Sequence, residues 1–368
     1  MHIQTISVEG LFGKSDVVEL NFNKDLNIVT GRNGSGKTTL LKLAWFVMSG
    51  NILHALREVE FKSFHMVTSD YSCHVVRTGP LHCRIEMEHD GQVHSFEDDQ
   101  GDPAEDPFFE SAEDKANPIL ASLGRTVFFP TFRRIEGGFS MDTTRKPRSR
   151  NALRAESEID EALSSLSKRL GSEDHVFVSA ISTQDIVQLL LRRYASFSEE
   201  INAFQADVSR SVIDKIKRYE EIDSDRKDAN SLLSETRTDI ESIETFRRET
   251  MRPLDAVRGL VERLFQHSGI SFGTRLSFGD AAAAVNSNAL SAGEKQMLSF
   301  ICYNAFYKNA VIFIDEPELS LHVDWQRQLF SILEGQKSEN QFVFATHSPF
   351  IYAKYPDKEI AVNLDRGE

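Results

Sequence analysis

The stretch Gly31-Arg32-Asn33-Gly34-Ser35-Gly36-Lys37-Thr38 constrains this chain more than any other. It follows the short apolar run Leu26–Thr30 and precedes the apolar helical run Thr39-Leu40-Leu41-Lys42-Leu43-Ala44-Trp45-Phe46. G-x-x-x-x-G-K-[ST] set between a strand and a helix is the arrangement that holds a nucleotide by its phosphates. A glycine-rich turn alone would not need that setting. Gly31, Gly34 and Gly36 let the backbone wrap so that its N–H groups, those of Arg32, Asn33 and Ser35 among them, face a β-phosphate. Lys37 adds a point charge for the β- and γ-phosphates, Thr38 offers a hydroxyl to Mg²⁺, and Thr39 completes the binding turn.

Three later stretches bear on the use of that nucleotide. Leu290-Ser291-Ala292-Gly293-Glu294 opens an apolar helix. It reads either as a plain N-cap, with Ser291 and Glu294 forming a capping box, or as an anion site of bare N–H groups at a helix start. Val311-Ile312-Phe313-Ile314-Asp315-Glu316 is a buried-type strand ending in two acids. Unpaired buried carboxylates are costly, and a metal and a water at the strand's carboxyl edge would satisfy them. Asp315 is therefore the candidate Mg²⁺ ligand beside Thr38, and Glu316 the candidate base for an attacking water. Gln341–Ala345 and Thr346 form a further strand running into His347-Ser348-Pro349. His347 there would bond a γ-phosphate or hold the water; a lone histidine is otherwise structural.

Elsewhere the chain alternates in character. Ile3, Ile6 and Val8 begin a strand whose hairpin partner is Val17–Phe22, and the stretch from Phe61 to Phe96 predicts antiparallel strands with a turn at Asp90-Gly91. The acidic, proline-containing stretch Glu97–Asp114 reads as a solvated loop. Thr126–Phe129 is a buried-type strand leading to Arg133 and Arg134, which would reach a phosphate or a partner or lie on the surface. The dense basic run Arg145-Lys146-Pro147-Arg148-Ser149-Arg150 fits a nucleic-acid contact or a solvated loop equally. From Asn151 to Phe265 the pattern is helical. Leu190, Tyr194, Phe197, Ile201, Phe204 and Val208 make a heptad seam continued by Val212 and Ile216; Leu233, Ile240, Ile243 and Phe246 make a second, ended or kinked by Pro253, with the turn in Asp223–Asn230. Ile270–Phe272 and Thr274–Phe278 read as strands. The expected domains are a head in 1–150 and 266–368 and a helical insertion in 151–265.

A length of 368 residues suits about two domains. No apolar run spans a membrane, and Met1–Ile6 lacks a signal pattern, so the expected compartment is the cytoplasm. Cys73, Cys83 and Cys302 are scattered, which argues against a disulfide framework or zinc site. The net charge of −14 means that DNA would have to be met by a local basic patch.

Phosphate loop, Leu-Ser-x-Gly-Glu signature, Asp-Glu strand and Thr-His-Ser occur in the order of ABC-type ATPases. Glu316-Pro317-Glu318-Leu319-Ser320-Leu321-His322 and Thr346–Pro349 narrow the likeness. They resemble the overcoming-lysogenisation-defect (OLD) class and ATPase subunits of anti-phage systems such as Septu, PARIS and retron-associated pairs. The resemblance covers about 1–135 and 270–360. It implies an α/β head, a P-loop fold with a mixed sheet and an antiparallel N-terminal subdomain, carrying a helical hairpin or bundle. It further implies a homodimer or higher oligomer in which two heads sandwich two ATP molecules with Mg²⁺. Lys37 and Glu316 of one head then face Ser291 and Gly293 of the other, with Asp324 near that seam. Two departures stand out: neither Gln92 nor Gln100 makes a convincing Q-loop, and no room follows His347 for the nuclease domain of OLD proteins. The expectation is thus a cytoplasmic ATPase, without nuclease activity of its own, that senses or scaffolds for a separate effector protein. The competing expectation is an ATP-gated DNA clamp for repair or chromosome maintenance, with DNA held at Arg145–Arg150; a transporter ATPase is the third.

Overall fold

The computed structural model describes residues 1–99, 109–135, 162–163, 165–181, 183–221, 226–264 and 290–362. They form two compact units, Met1–Ser182 with Ser291–Glu368, and Thr183–Leu290. The first opens with β1 (Ile3–Glu9), β2 (Val17–Asn21), β3 (Leu26–Thr30), α1 (Lys37–Met48) and α2 (Ile52–Glu58). It continues through β4 (Ser63–Thr68), β5 (Tyr71–Arg77), β6 (Cys83–His89), β7 (Gln92–Phe96), α3 (Ala112–Ser122), β8 (Thr126–Phe129), β9 (Arg134–Ile135), β10 (His175–Phe177) and β11 (Ala180–Ile181). The second unit is α4 (Thr183–Glu221) and α5 (Arg226–Leu264). The first then resumes with α6 (Ala292–Phe306), β12 (Val311–Asp315), α7 (Val323–Glu334), β13 (Gln341–Ala345), α8 (Pro349–Tyr352) and β14 (Glu359–Ala361).

Two kinds of strand pattern make two kinds of sheet. Strands that alternate, such as β6 with Cys83, Ile85 and Met87 buried, join an antiparallel sheet of order β2-β1-β4-β5-β6-β7. The hairpins fall where turn chemistry places them: Asp90 and Gly91 both take left-handed backbone, at φ 52° and 73°. Strands buried on every residue, β3, β8, β12 and β13, lie inside a parallel sheet of order β10-β8-β12-β13-β3-β14. Helix α1 packs on this sheet, with Trp45 fully buried and its ring 5.7 Å from that of Phe128. The expected α/β head with an antiparallel part and a helical insertion is thus the fold observed.

Several local expectations change. The acidic stretch after Glu97 is not all solvated loop. Ser111 and Asp114 form a reciprocal capping box that starts α3, and Glu113 in its first turn is 5% exposed. Helix does not fill the stretch from Asn151 to Phe265, because His175–Phe177 pairs with β8 as a parallel strand. Three residues are too few to show a period in sequence. In the second unit α4 and α5 are each 39 residues long. Helix α5 begins at Arg226, inside the expected turn, and runs through Pro253 to Leu264. Phe204 and Phe246 stack at 4.2 Å as the heptad reading requires, but Leu233 and Ile240 are 68% and 56% exposed. Positions 232, 236, 239, 243 and 246 turn inward instead, alternating four and three apart and continuing past Phe246 to 250, 253 and 257. Leu233 and Ile240 are seven apart, yet one residue out of phase with that line. On α4, Ile216 is likewise exposed, and Lys215 reaches Asp239 across the pair at 2.7 Å. Arg145–Arg150, Gln100, and the expected strands Ile270–Phe272 and Thr274–Phe278 lie outside the described residues.

Candidate nucleotide site

Parallel register assembles the site. Phe129 stands beside Ile314, Asp315 beside Ala345, and Ala345 beside Val29, so four strands end along one edge. Everything just beyond those ends is brought together: Gly31 after β3, Thr131 after β8, Glu316 after β12 and His347 after β13. Ligands bind at such carboxyl edges of open α/β sheets.

The loop 31–36 turns there because its glycines permit it. Gly34 and Gly36 have φ of 82° and 93°, and Gly36 is the N-cap of α1. A Cβ on Gly31 would lie 2.3 Å from the Val362 carbonyl oxygen and 2.6 Å from Ser35 Oγ, so no side chain fits at that position. Arg32, Asn33 and Gly34 are exposed, Thr38 and Thr39 half-buried, and Ser35 Oγ is buried without a hydrogen-bond partner. Lys37 folds back over this loop: Nζ donates to the carbonyls of Gly31 at 3.1 Å and Arg32 at 3.3 Å and contacts His347 Nε2 at 2.8 Å. An ammonium has only donors, so Nε2 accepts and the histidine proton sits on Nδ1. Desolvation holds the lysine below its usual pKa, with Glu316, Asp315 and Glu318 pulling the other way. Burial, then the charge of Lys37, holds His347 below the ordinary imidazole value.

Asp315 is fully buried. The hydroxyls of Thr131 and Thr38 donate to its carboxylate, and Oδ1 keeps no partner. Desolvation nevertheless keeps its pKa raised. Glu316 adopts left-handed backbone at φ 50°, rare for a side-chain-bearing residue, which turns the chain off β12 and toward His347. Its Oε1 lies 3.3 Å from His347 Nε2. Burial, followed by the neighbouring Glu318, pushes Glu316 up to about 8. The fit to a hard cation and a polyphosphate rests on these observations: an orphaned buried carboxylate oxygen beside a threonine hydroxyl, and an amine presently satisfied by carbonyls.

Ser291 and Glu294 form the capping box, with Ser291 N–H donating to Glu294 Oε2 at 2.7 Å. Gly293 is bare for a reason internal to the head: an added Cβ would meet the Ser320 carbonyl oxygen at 2.3 Å. Ser291 itself stays exposed. The signature is therefore not drawn onto Lys37 in this chain; it is held to the loop after β12, where Gln296 Nε2 also donates to the Pro317 carbonyl at 2.9 Å. Asp324 lies exposed in the first turn of α7, its N–H reaching His322 Nδ1 at 3.4 Å. Gln92 begins β7, the edge strand of the antiparallel sheet.

Two neighbours of the acids escaped the sequence reading. Thr131 sits past β8, and nothing in its local spelling ties it to Asp315; only the β8–β12 pairing does. Arg133, open between phosphate, partner and surface, is buried. It donates to the carbonyls of Pro130, Asp315 and Glu316 at 2.7, 2.8 and 3.2 Å, and burial lowers its pKa to about 10. Among the described residues no cluster of three or more acidic, histidine or cysteine side chains makes a ready metal cage, so a cation here needs hydroxyls, water and the nucleotide as co-ligands. No described helix is long and apolar enough to cross a membrane.

Residues 26–353 match the AAA domain family of AbiEii-toxin type, assigned to type IV toxin–antitoxin systems. Among solved structures, the chain is similar to an Smc head domain with an extended coiled coil bound to the C-terminal domain of ScpA, from Pyrococcus furiosus. That similarity has 13% identity and a TM-score of 0.40, covering 99% of this chain and 94% of that one. An SmcHead bound to the C-winged helix domain of ScpA is similar at 12% identity and TM-score 0.40, over 100% and 95%.

Proposed function

This chain belongs to the AbiEii-toxin-type AAA domain family, and from that membership we propose that it is an ATP-hydrolysing switch whose heads pair around ATP to control a separate effector protein. The observation that carries the enzymatic part is the convergence of Lys37, Asp315, Glu316 and His347 at one sheet edge. Lys37, freed from the Gly31 and Arg32 carbonyls, and the amides of 31–36 would hold the β- and γ-phosphates. Thr38 and Asp315 would hold Mg²⁺, which when bound neutralises phosphate charge. Water attacks the γ-phosphorus, the bond to the ADP oxygen breaks, and Glu316 takes the water's proton. His347 holds the water or the γ-phosphate. Ser291 and Gly293 would meet the γ-phosphate of the partner head, a role supported by their position at a helix start. The control of an effector in anti-phage defence is supported by the family's assignment to toxin–antitoxin systems and by the likeness of the motifs to defence ATPases.

The test is ATP turnover by the purified chain, with and without duplex DNA. Lys37→Ala should abolish nucleotide binding, while Glu316→Gln should bind ATP normally and lose turnover by about 100-fold or more. Parental turnover in Glu316→Gln would overturn the base assignment. Strong stimulation by DNA would favour the clamp over the effector switch.

A further inference from the structure

Glu318 lies two residues past the base and is not needed to bind phosphate or metal in the scheme above, yet it makes the most specific contacts at the site. Its Oε2 accepts from the Thr346 hydroxyl at 2.7 Å, and its Oε1 accepts from the His347 backbone N–H at 2.9 Å. Thr346 Oγ1 in turn accepts from the Ser348 N–H at 2.9 Å, so one threonine and one carboxylate fix three consecutive residues. Beyond Thr346 the strand ladder has ended: Thr346 N–H donates to the Val29 carbonyl, but His347 N–H has left it. The His347 ring is 37% exposed, and its register depends on how that short segment is held. A carboxylate presents two acceptors side by side to a hydroxyl and an amide. Glutamine has one acceptor and would turn an N–H₂ toward one of those donors. The other end of the same loop is anchored too, by Ser320 against Gly293 and by Pro317 on Gln296.

We propose that Glu318 is a positioning residue of the hydrolytic site, clamping the Thr346–His347 backbone so that the His347 ring stays against Lys37 and Glu316. This rests on the ATPase reading. In chemical terms the residue acts through the groups beside it: it holds the segment that carries His347, it also hydrogen-bonds the Glu316 carboxyl, and it needs no contact of its own with the phosphate or the water. Displacing such a group by about 1 Å is enough to cost up to ~100-fold in rate while nucleotide binding, done by 31–38, is untouched.

The experiment is a double-mutant cycle on ATP turnover with Glu318→Ala, His347→Ala and the combined variant, together with backbone amide exchange of residues 346–352 followed by mass spectrometry. The expected result is a fall in kcat of about tenfold or more for Glu318→Ala with KM changed by less than about twofold. The combined variant should be slower than His347→Ala by much less than the full Glu318→Ala effect, since with the imidazole gone only the contact to Glu316 is left to lose. Exchange over 346–352 should be faster in Glu318→Ala and intermediate in Glu318→Gln, which keeps one acceptor and serves if the alanine variant fails to fold. The proposal is overturned by multiplicative losses in the combined variant, by KM rising in step with the fall in kcat, or by unchanged amide exchange. A parental chain that does not hydrolyse ATP would sink the ATPase reading instead, and the amide exchange alone would then judge the clamp.

Discussion

At the scale of single residues, burial decides which charges do what. Arg133 spends its guanidinium on three backbone carbonyls across the ends of β8 and β12, and among the described residues no carboxylate pairs with it directly. Lysine has one nitrogen and cannot span that fork. Arg133→Lys should therefore lower stability by about 1–3 kcal/mol in urea unfolding; an unchanged midpoint would show the fork to be dispensable. His175 is fully buried beside Thr126, whose hydroxyl lies 2.8 Å from Nδ1, and burial drops its pKa from 6.5 to about 4. Between those values the unfolded chain binds a proton that the folded chain refuses. Stability present above pH 6.5 is therefore lost as pH falls toward 4, by on the order of 2–3 kcal/mol. His175→Gln should flatten that part of the pH–stability curve whatever its effect at pH 7, and an unaltered slope would assign acid sensitivity elsewhere.

At the scale of elements, packing contacts set the register. The pair α4–α5 is long, and its described seam is mostly apolar on α4, where Leu190, Phe197, Ile201, Phe204, Val208 and Val212 turn inward, while Thr236 and Asp239 make the α5 side partly polar beside Lys215, and Phe246 stacks on Phe204. Phe246→Ala should cost about 1–3 kcal/mol locally, seen as faster amide exchange along both helices. Protection equal to that of the parent would mean the stack is incidental. At the start of α6 the limit is steric. Gly293→Ala puts a methyl on the Ser320 carbonyl and must push the loop after β12 away, so turnover should fall even if the signature never meets a nucleotide. Activity equal to the parent would show that the loop has slack.

For the whole molecule, the proposed cycle predicts association. With ATP and Mg²⁺, Glu316→Gln should shift from monomer to dimer in sedimentation or light scattering, and Lys37→Ala should not. A Glu316→Gln chain that stays monomeric at saturating ATP would remove the sandwich from the mechanism. In that proposed cycle the second head would supply Ser291 and Gly293, which within one head sit in their own capping box and against their own Ser320 carbonyl.

Sequence alone determined most of the strands around the loop and the turning of the loop itself. Gly31–Thr38 carries its own geometry because glycine backbone freedom is local, and β3, β12 and β13 read as buried strands because, Asn27 apart, every residue in them is apolar or ends the strand; Asn27 is buried with its side-chain amide donating to the Asn23 and Phe342 carbonyls. Asp315 and Glu316 were legible for the same reason, as acids at the end of a strand with no apolar use for them. The partners of those acids were decided by tertiary structure. Thr131, Arg133 and Glu318 reach the site through strand pairing and loop closure between residues far apart in the chain, and no local period records a partner that distant. The phase of the α5 seam was decided the same way: a seven-residue spacing permits two faces, and the contacts across to α4, Phe204 on Phe246 and Lys215 on Asp239, choose between them.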